Sequence, residues 1–241
     1  MTAAADRVVT SVDDRRTAVL DVIRGARREI VLSLFRCKDK EILAELARAT
    51  ARGVAVEVLV TARAKGGRKK LLKLYEALEH TGATVSLYSD AVGKYHAKYL
   101  VADDGPAIVA SLNFTKRCLN WTLDALVVTY DADVVSGLRR LMTADRERKP
   151  LPVPLSPRLI VGPELARAQL TELIDSARTR IRIVDAKLSD PDLVTRLNAK
   201  RAAGVTVGNR GEFWWLIAEA HVENPDGTIS GSLDLASSFG G

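Results

Sequence analysis

Residues 23–56 read IRGARREIVLSLFRCKDKEILAELARATARGVAV, and this stretch decides the fold. Its apolar run from Arg28 to Phe35 is short and near-continuous, the pattern of a buried strand. Upstream, Arg15–Ala26 sets Val19, Val22, Ile23 and Ala26 on one face of a helix. Downstream, Asp39 can cap a second helix, Glu41–Ala51, because its carboxylate accepts the first free N–H groups. Gly53 stops that helix, and Val54–Val60 is the next strand. The alternation continues with a helix over Arg68–His80, strands over Ala83–Tyr88, Ala97–Asp103, Ala107–Ser111 and Ala125–Thr129, and a helix over Val134–Ala144. Strands that alternate with helices predict an α/β layer architecture.

A second copy of the stretch follows. Residues 174–207 read IDSARTRIRIVDAKLSDPDLVTRLNAKRAAGVTV and match 23–56 without a gap at a shift of 151. Ten of the 34 positions are identical, among them Ala26 and Ala177, Asp39 and Asp190, and Gly53 and Gly204. Each helix, strand, cap and stop recurs in order, which marks a tandem duplication. Between the copies, Lys149–Pro157 carries four prolines in nine residues. Proline fixes φ and removes a donor, so this segment reads as an extended linker. Three parts are expected: a first half over 1–148, a linker over 149–157 and a second half over 158–241.

Composition narrows the class. The 241 residues are 47% apolar and 27% charged, enough to bury a core and too apolar for wholesale disorder. No run of eighteen apolar residues occurs, and the first seven residues lack the pattern of a secretory signal. Two cysteines, Cys37 and Cys118, fit neither a disulfide framework nor a zinc cluster and are expected to be buried and inert. A cytoplasmic protein is the expectation. The GxxxxGK, GxGxxG, GxSxG and HExxH patterns are absent, which removes the commonest nucleotide, hydrolase and zincin signatures.

One dense polar cluster remains. It runs from Lys94-Tyr95-His96-Ala97-Lys98 through Asp103-Asp104-Gly105 to Ala110-Ser111-Leu112-Asn113. His96 and Lys98 are two apart at a predicted strand and so share a face; Ser111 and Asn113 repeat that spacing on the partner strand. Asp103–Pro106 has hairpin-turn chemistry. An imidazole can attack phosphorus or donate a proton, while an ammonium, a hydroxyl and an amide suit non-bridging phosphate oxygens. The cluster lacks the carboxylate set that Mg²⁺ or Ca²⁺ needs, so no metal or other cofactor is expected.

These residues resemble the phospholipase D superfamily. His96-x-Lys98-x4-Asp103, followed by Ser111-x-Asn113, is similar to its HKD motif, with Ala110 where glycine is more usual before the serine. Two halves joined by a proline linker resemble cardiolipin-synthase-like members, over about Thr17–Val207. The resemblance implies a phospholipase D-like mixed sheet flanked by helices, in two tandem halves. It implies a phosphodiesterase or phosphatidyltransferase of lipid metabolism that forms a phosphohistidine. A second histidine, from the other half or another subunit, would protonate the leaving alcohol. Carried over, the catalytic set is His96, Lys98, Asp103 and Asp124. His96 would be nucleophile or acid; Lys98, Ser111 and Asn113 would bind phosphate; Asp124, eleven residues past Asn113, would orient His96. Asp103 belongs to the motif as a structural residue at the hairpin. A phospholipid is the first expected substrate. Nucleic acid is the alternative phosphodiester, and an inactive anion-binding module is the rival.

The second half departs from the motif. His221 is its only histidine, and His221-Val222-Glu223 sets glutamate where lysine is required. Gly231-Ser232-Leu233-Asp234 sets aspartate for asparagine, and residues 208–215 lose the repeat register. Either the second site has degenerated by deletion or the sequence is altered after about Val207; the abrupt loss favours the latter. His221 is therefore not expected to be the leaving-group acid, and an active chain is expected to pair as a homodimer, His96 facing His96. The net charge is +6, and the excess sits in Val58–Tyr75, which has six basic residues and no acid. Cations in the first turn of the helix at Arg68 oppose its macrodipole, which points to contact with an anionic membrane surface or nucleic acid. Trp121, Trp214 and Trp215 are expected to pack in the core.

Overall fold

A computed structural model describes residues 6–62, 68–88, 95–163, 165–183, 188–209, 221–223 and 229–232. They divide into two compact units, one ending at Ser156 and the other beginning at Pro157.

The first unit contains β1 (Arg7–Val9), α1 (Val12–Gly25), β2 (Glu29–Leu34), α2 (Lys40–Ala51), β3 (Ala55–Thr61) and α3 (Arg68–Glu79). It continues with β4 (Thr84–Tyr88), β5 (Tyr99–Ala102), β6 (Ala107–Ala110), α4 (Lys116–Asn120), β7 (Leu126–Thr129) and α5 (Ala132–Glu147). Its seven strands form one mixed sheet in the order β1-β7-β6-β5-β2-β3-β4. β2, β3 and β4 run parallel, while β5, β6, β7 and β1 pair antiparallel. β1 and α4 were not expected: three and five residues are too few to register a period.

Alternation along the strands divides the core between the two faces of the sheet. Ile30, Leu32 and Leu34 of β2 join Leu100, Ile108 and Leu126 in one buried cluster with Val19 and Ile23 of α1 and Ile42 and Leu46 of α2. The intervening Val31, Ser33, Tyr99 and Val101 are buried too, and α5 packs against β2, β4 and β5. A strand covered on both faces has no polar side, which is why Arg28–Phe35 reads as a continuous apolar run.

The second unit contains α6 (Ala166–Ser176), β8 (Arg180–Ile183), α7 (Pro191–Ala202), β9 (Thr206–Asn209), β10 (His221–Glu223) and β11 (Ile229–Ser232), with strand order β11-β10-β8-β9. The repeat persists here down to single bonds. α2 and α7 start and stop at equivalent positions. Asp39 accepts from the N–H groups of Glu41 and Ile42, as Asp190 does from Asp192 and Leu193. Arg16 pairs with Asp39 at 3.0 Å, as Arg167 does with Asp190 at 2.6 Å. Gly53 and Gly204 both take positive φ, 87° and 91°, to end those helices. β2 pairs with β3, and β8 with β9, in the same register: Ile30 opposite Val56, Ile181 opposite Val207.

The register beside β8 corrects the expected alignment of His221. In the first unit Val31 faces Val101 and Ile30 faces Ala102. In the second, Arg182 faces His221 and Ile181 faces Val222. Since Arg182 and Ile181 are the repeat counterparts of Val31 and Ile30, His221 holds the place of Val101, not of His96. Glu223 then holds the place of Asp103, not of Lys98. Strand pairing, rather than a His-x-Glu spacing, sets which residues correspond.

Candidate active site

His96 and Lys98 lie just before β5, and Ser111 and Asn113 just past β6, because both strands are shorter than expected. Pairing still holds at the edge: the Ala110 N–H donates to the Lys98 carbonyl at 2.9 Å. Lys98 thus stands opposite Ala110, and Ser111 and Asn113 fall one step out of its row. The expected single face of four residues is replaced by two groups, with the charge of Asp124 in the second acting on Lys98 in the first.

The first group is His96 with Lys98. Lys98 is 4% exposed, and its Nζ lies 2.8 Å from His96 Nδ1 and 3.3 Å from Nε2. The ammonium also donates to the His96 carbonyl at 2.6 Å. The imidazole packs against Phe35, ring centroids 4.6 Å apart. Burial, then the charges of Lys98 and Arg36, bring His96 down to about 4. Burial brings Lys98 down to about 7, against the opposing effects of Asp124 and Cys118.

The second group is Ser111 with Asp124. Ser111 Oγ donates to Asp124 Oδ1 at 2.9 Å, and Thr122 Oγ1 donates to Oδ2. Asp124 is therefore held by two hydroxyls rather than hydrogen-bonded to His96, and its charge reaches Lys98. Asn113 is half-buried, and its buried Oδ1 has no protein partner among the described residues. Asp103 stands apart, at the opposite end of β5, about 16 Å along the strand from Lys98. Its carboxylate accepts from the N–H groups of Arg27 and Arg28 at 2.8 Å and of Glu29 at 3.0 Å. Burial alone would raise that carboxyl, but these three donors outweigh it and hold it below the ordinary carboxylate range. Asp103 thus ties the β5 hairpin to the start of β2.

Several residues that complete the site were not foreseen. Ser33, polar and fully buried in β2, has its hydroxyl 2.7 Å from that of Tyr95 and donates to the Ala97 carbonyl at 3.3 Å. It pins the segment that carries His96. A lone serine in an apolar run was the available signal. Arg15 gave none, being one arginine among many. Its buried guanidinium donates to the carbonyls of Thr10 at 2.8 Å, Cys118 at 3.0 Å and Thr122 at 2.7 Å, and also to that of Asp124. It shapes the loop from which Asp124 projects. Cys37 is buried, with its thiol pushed up by burial to about 12, and Cys118 is half-buried. In the basic segment, residues 63–67 lie outside the described residues, while Lys69, Lys70 and Lys73 are exposed on α3.

The family described as "Cardiolipin synthase, PLD-like domain" matches residues 19–146, more than half of the chain, and the match includes His96, Lys98, Asp103, Ser111, Asn113 and Asp124. The chain belongs to this family. Within the wider phospholipase D superfamily it is cardiolipin-synthase-like, in a family of phosphodiesterases and phosphatidyltransferases. Cardiolipin synthase A of Pseudomonas putida (strain W619) is 25% identical over 130 residues, 54% of this chain and 27% of that protein. The chain thus matches about a quarter of the length of the curated relatives. The fold is similar to that of the phospholipase D family member Nuc from Salmonella typhimurium, with a TM-score of 0.53 and 22% identity, covering 60% of this chain and 95% of that one. It is also similar to phosphatidylserine synthase from Haemophilus influenzae Rd KW20, with a TM-score of 0.63 and 14% identity, covering 86% and 62%. Among the described residues no helix is long and apolar enough to cross a membrane.

Proposed function

We propose that the first unit carries a phospholipase D-like site that cleaves or transfers phosphodiesters, with phospholipids as substrates, through a phosphohistidine on His96. The observation that carries this reading is the buried contact of His96 with Lys98. A histidine nucleophile needs a free lone pair, and a value of about 4 leaves the imidazole neutral near pH 7. Lys98, at about 7, is poised to take a full charge when an anionic phosphate arrives beside it. The imidazole lone pair attacks phosphorus and the P–N bond forms. The P–O bond to the leaving alcohol breaks as a second histidine gives that oxygen a proton. Water or another alcohol then attacks phosphorus, the P–N bond breaks, and the second histidine recovers a proton. Lys98 and the Asn113 amide bind the non-bridging oxygens, and the Ser111 hydroxyl, whose one proton goes to Asp124, would have to turn from that carboxylate to join them. Asp124 holds Ser111 and acts on His96 only through Lys98.

The second histidine is His96 of a second copy, which takes up its proton when the bound anionic phosphate beside it opposes the lowering by burial and by Lys98. The β10 register, which sets His221 in the place of Val101, supports this over an internal pair. The membership of the cardiolipin synthase family supports a phospholipid substrate.

A chromogenic phosphodiester tests the site. Turnover should be lost in His96→Ala, survive excess EDTA, and fall per chain on dilution below the dimer dissociation constant. Near-normal turnover in His96→Ala would overturn the assignment.

A further inference from the structure

The loop that brings Asp124 to the site also presents two large apolar side chains outward. Trp121 is 68% exposed and Leu123 is 64% exposed, whereas Thr122 and Asp124 between and after them turn inward to hydrogen-bond with each other. Trp121 was expected in the core. Its exposure is not loose fraying, because buried Arg15 binds the carbonyls of Cys118, Thr122 and Asp124 and so fixes the loop on both sides of Trp121. Exposed apolar groups held on a rigid loop lose little entropy when a partner covers them. The flanking charge is positive: Lys116 and Arg117 are exposed on α4, and Lys116 Nζ lies 5.6 Å from the centroid of the Trp121 ring. An indole beside lysine and arginine matches the boundary between headgroups and acyl chains of an anionic bilayer.

We propose that Trp121 and Leu123, flanked by Lys116 and Arg117, form a membrane-docking loop that seats the first unit on an anionic phospholipid surface. This rests on the phospholipid reading of the adjacent site and deepens it. The loop carrying Asp124 would lie against the lipid surface, so a headgroup phosphate would have a short path to Lys98. A nucleic acid would use the same cations but has less use for a protruding leucine.

Binding can be measured apart from catalysis. The full chain is sedimented with vesicles of phosphatidylglycerol and phosphatidylcholine, and with phosphatidylcholine alone. The chain should bind the anionic vesicles, and His96→Ala should bind them equally. Trp121→Ala with Leu123→Ala should weaken binding at least tenfold while the melting temperature holds. In a Trp214→Phe, Trp215→Phe background, brominated acyl chains should quench Trp121. Wild-type binding by the double variant, or no quenching of Trp121, would overturn the proposal. So would loss of single-stranded DNA binding in the double variant with vesicle binding intact. Loss of turnover in His96→Ala with no vesicle binding by any chain would leave the catalytic reading standing and remove this one.

Discussion

The helices α2 and α7 are the same object built twice, with an aspartate at the start, an arginine paired to it from the preceding helix and a glycine at the stop. Their sequences share few other residues, yet their ends coincide and the strands they join pair in one register. Past β3 and β9 the two units part company. The first continues into a hairpin, β5–β6, whose edge carries His96, Lys98 and Ser111. The second reaches β10 with His221 as its first residue, in the register position of Val101. The difference teaches that this frame is specified by a few caps, stops and ion pairs. The chemistry is specified separately, by what the β5–β6 edge presents.

The largest contrast should come from paired histidine substitutions. His96→Ala should lower phosphodiester turnover by a factor of about 10³ or more, and Lys98→Ala by about 10²–10³. His221→Ala should leave turnover within twofold. A strictly monomeric chain inactivated by His221→Ala would restore an internal two-histidine site and break the comparison.

The shared frame can be probed at equivalent core leucines. Leu46 is fully buried in the large cluster of the first unit, while Leu197, among the described residues, lies in a smaller one. Leu46→Ala should cost about 4 kcal/mol and Leu197→Ala about 2–3 kcal/mol in denaturant unfolding, since the smaller core can collapse further around the cavity. Equal costs would mean that the second unit is packed as tightly as the first.

Acidity separates the units in another way. The unfolded chain binds a proton at His96 near its ordinary 6.5, whereas the folded chain refuses it down to about 4. Stability of the first unit should therefore climb as pH rises from 4 to 6.5. Lys98, ordinarily near 10.5 and brought to about 7, should add a second climb above pH 7. Urea midpoints across this range should lose the lower climb in His96→Ala and keep it in His221→Ala. The smallest effect belongs to the stops. A Cβ on Gly53 or Gly204 meets nothing within 4 Å, so Gly53→Ala and Gly204→Ala should each cost only the backbone penalty, about 1 kcal/mol, and by equal amounts.

Most of the frame was legible because its signals are local. Asp39 and Gly53 bracket a helix by capping and by φ, and their copies at Asp190 and Gly204 repeat the message. The site was legible as a set of residues but not as a geometry. Alternation put Ser111 and Asn113 in a row with Lys98, but both strands are short and Lys98 stands opposite Ala110, so Ser111 bonds Asp124 instead, whose charge acts on Lys98. Arg15 and Ser33 act across more than sixty residues of sequence, on backbone carbonyls and a tyrosine hydroxyl, and no spacing rule reaches that far. His221 was set against His96 by a short spacing that strand pairing overrules.

The central claim is that His96 becomes covalently phosphorylated in turnover. The chain is mixed with a phosphodiester substrate, quenched in alkali within the turnover time, digested and read by mass spectrometry. The account predicts a phosphoryl adduct on the peptide bearing His96, absent from His96→Ala and unchanged in His221→Ala. An adduct on His221, or steady turnover with no adduct on any histidine, would contradict it.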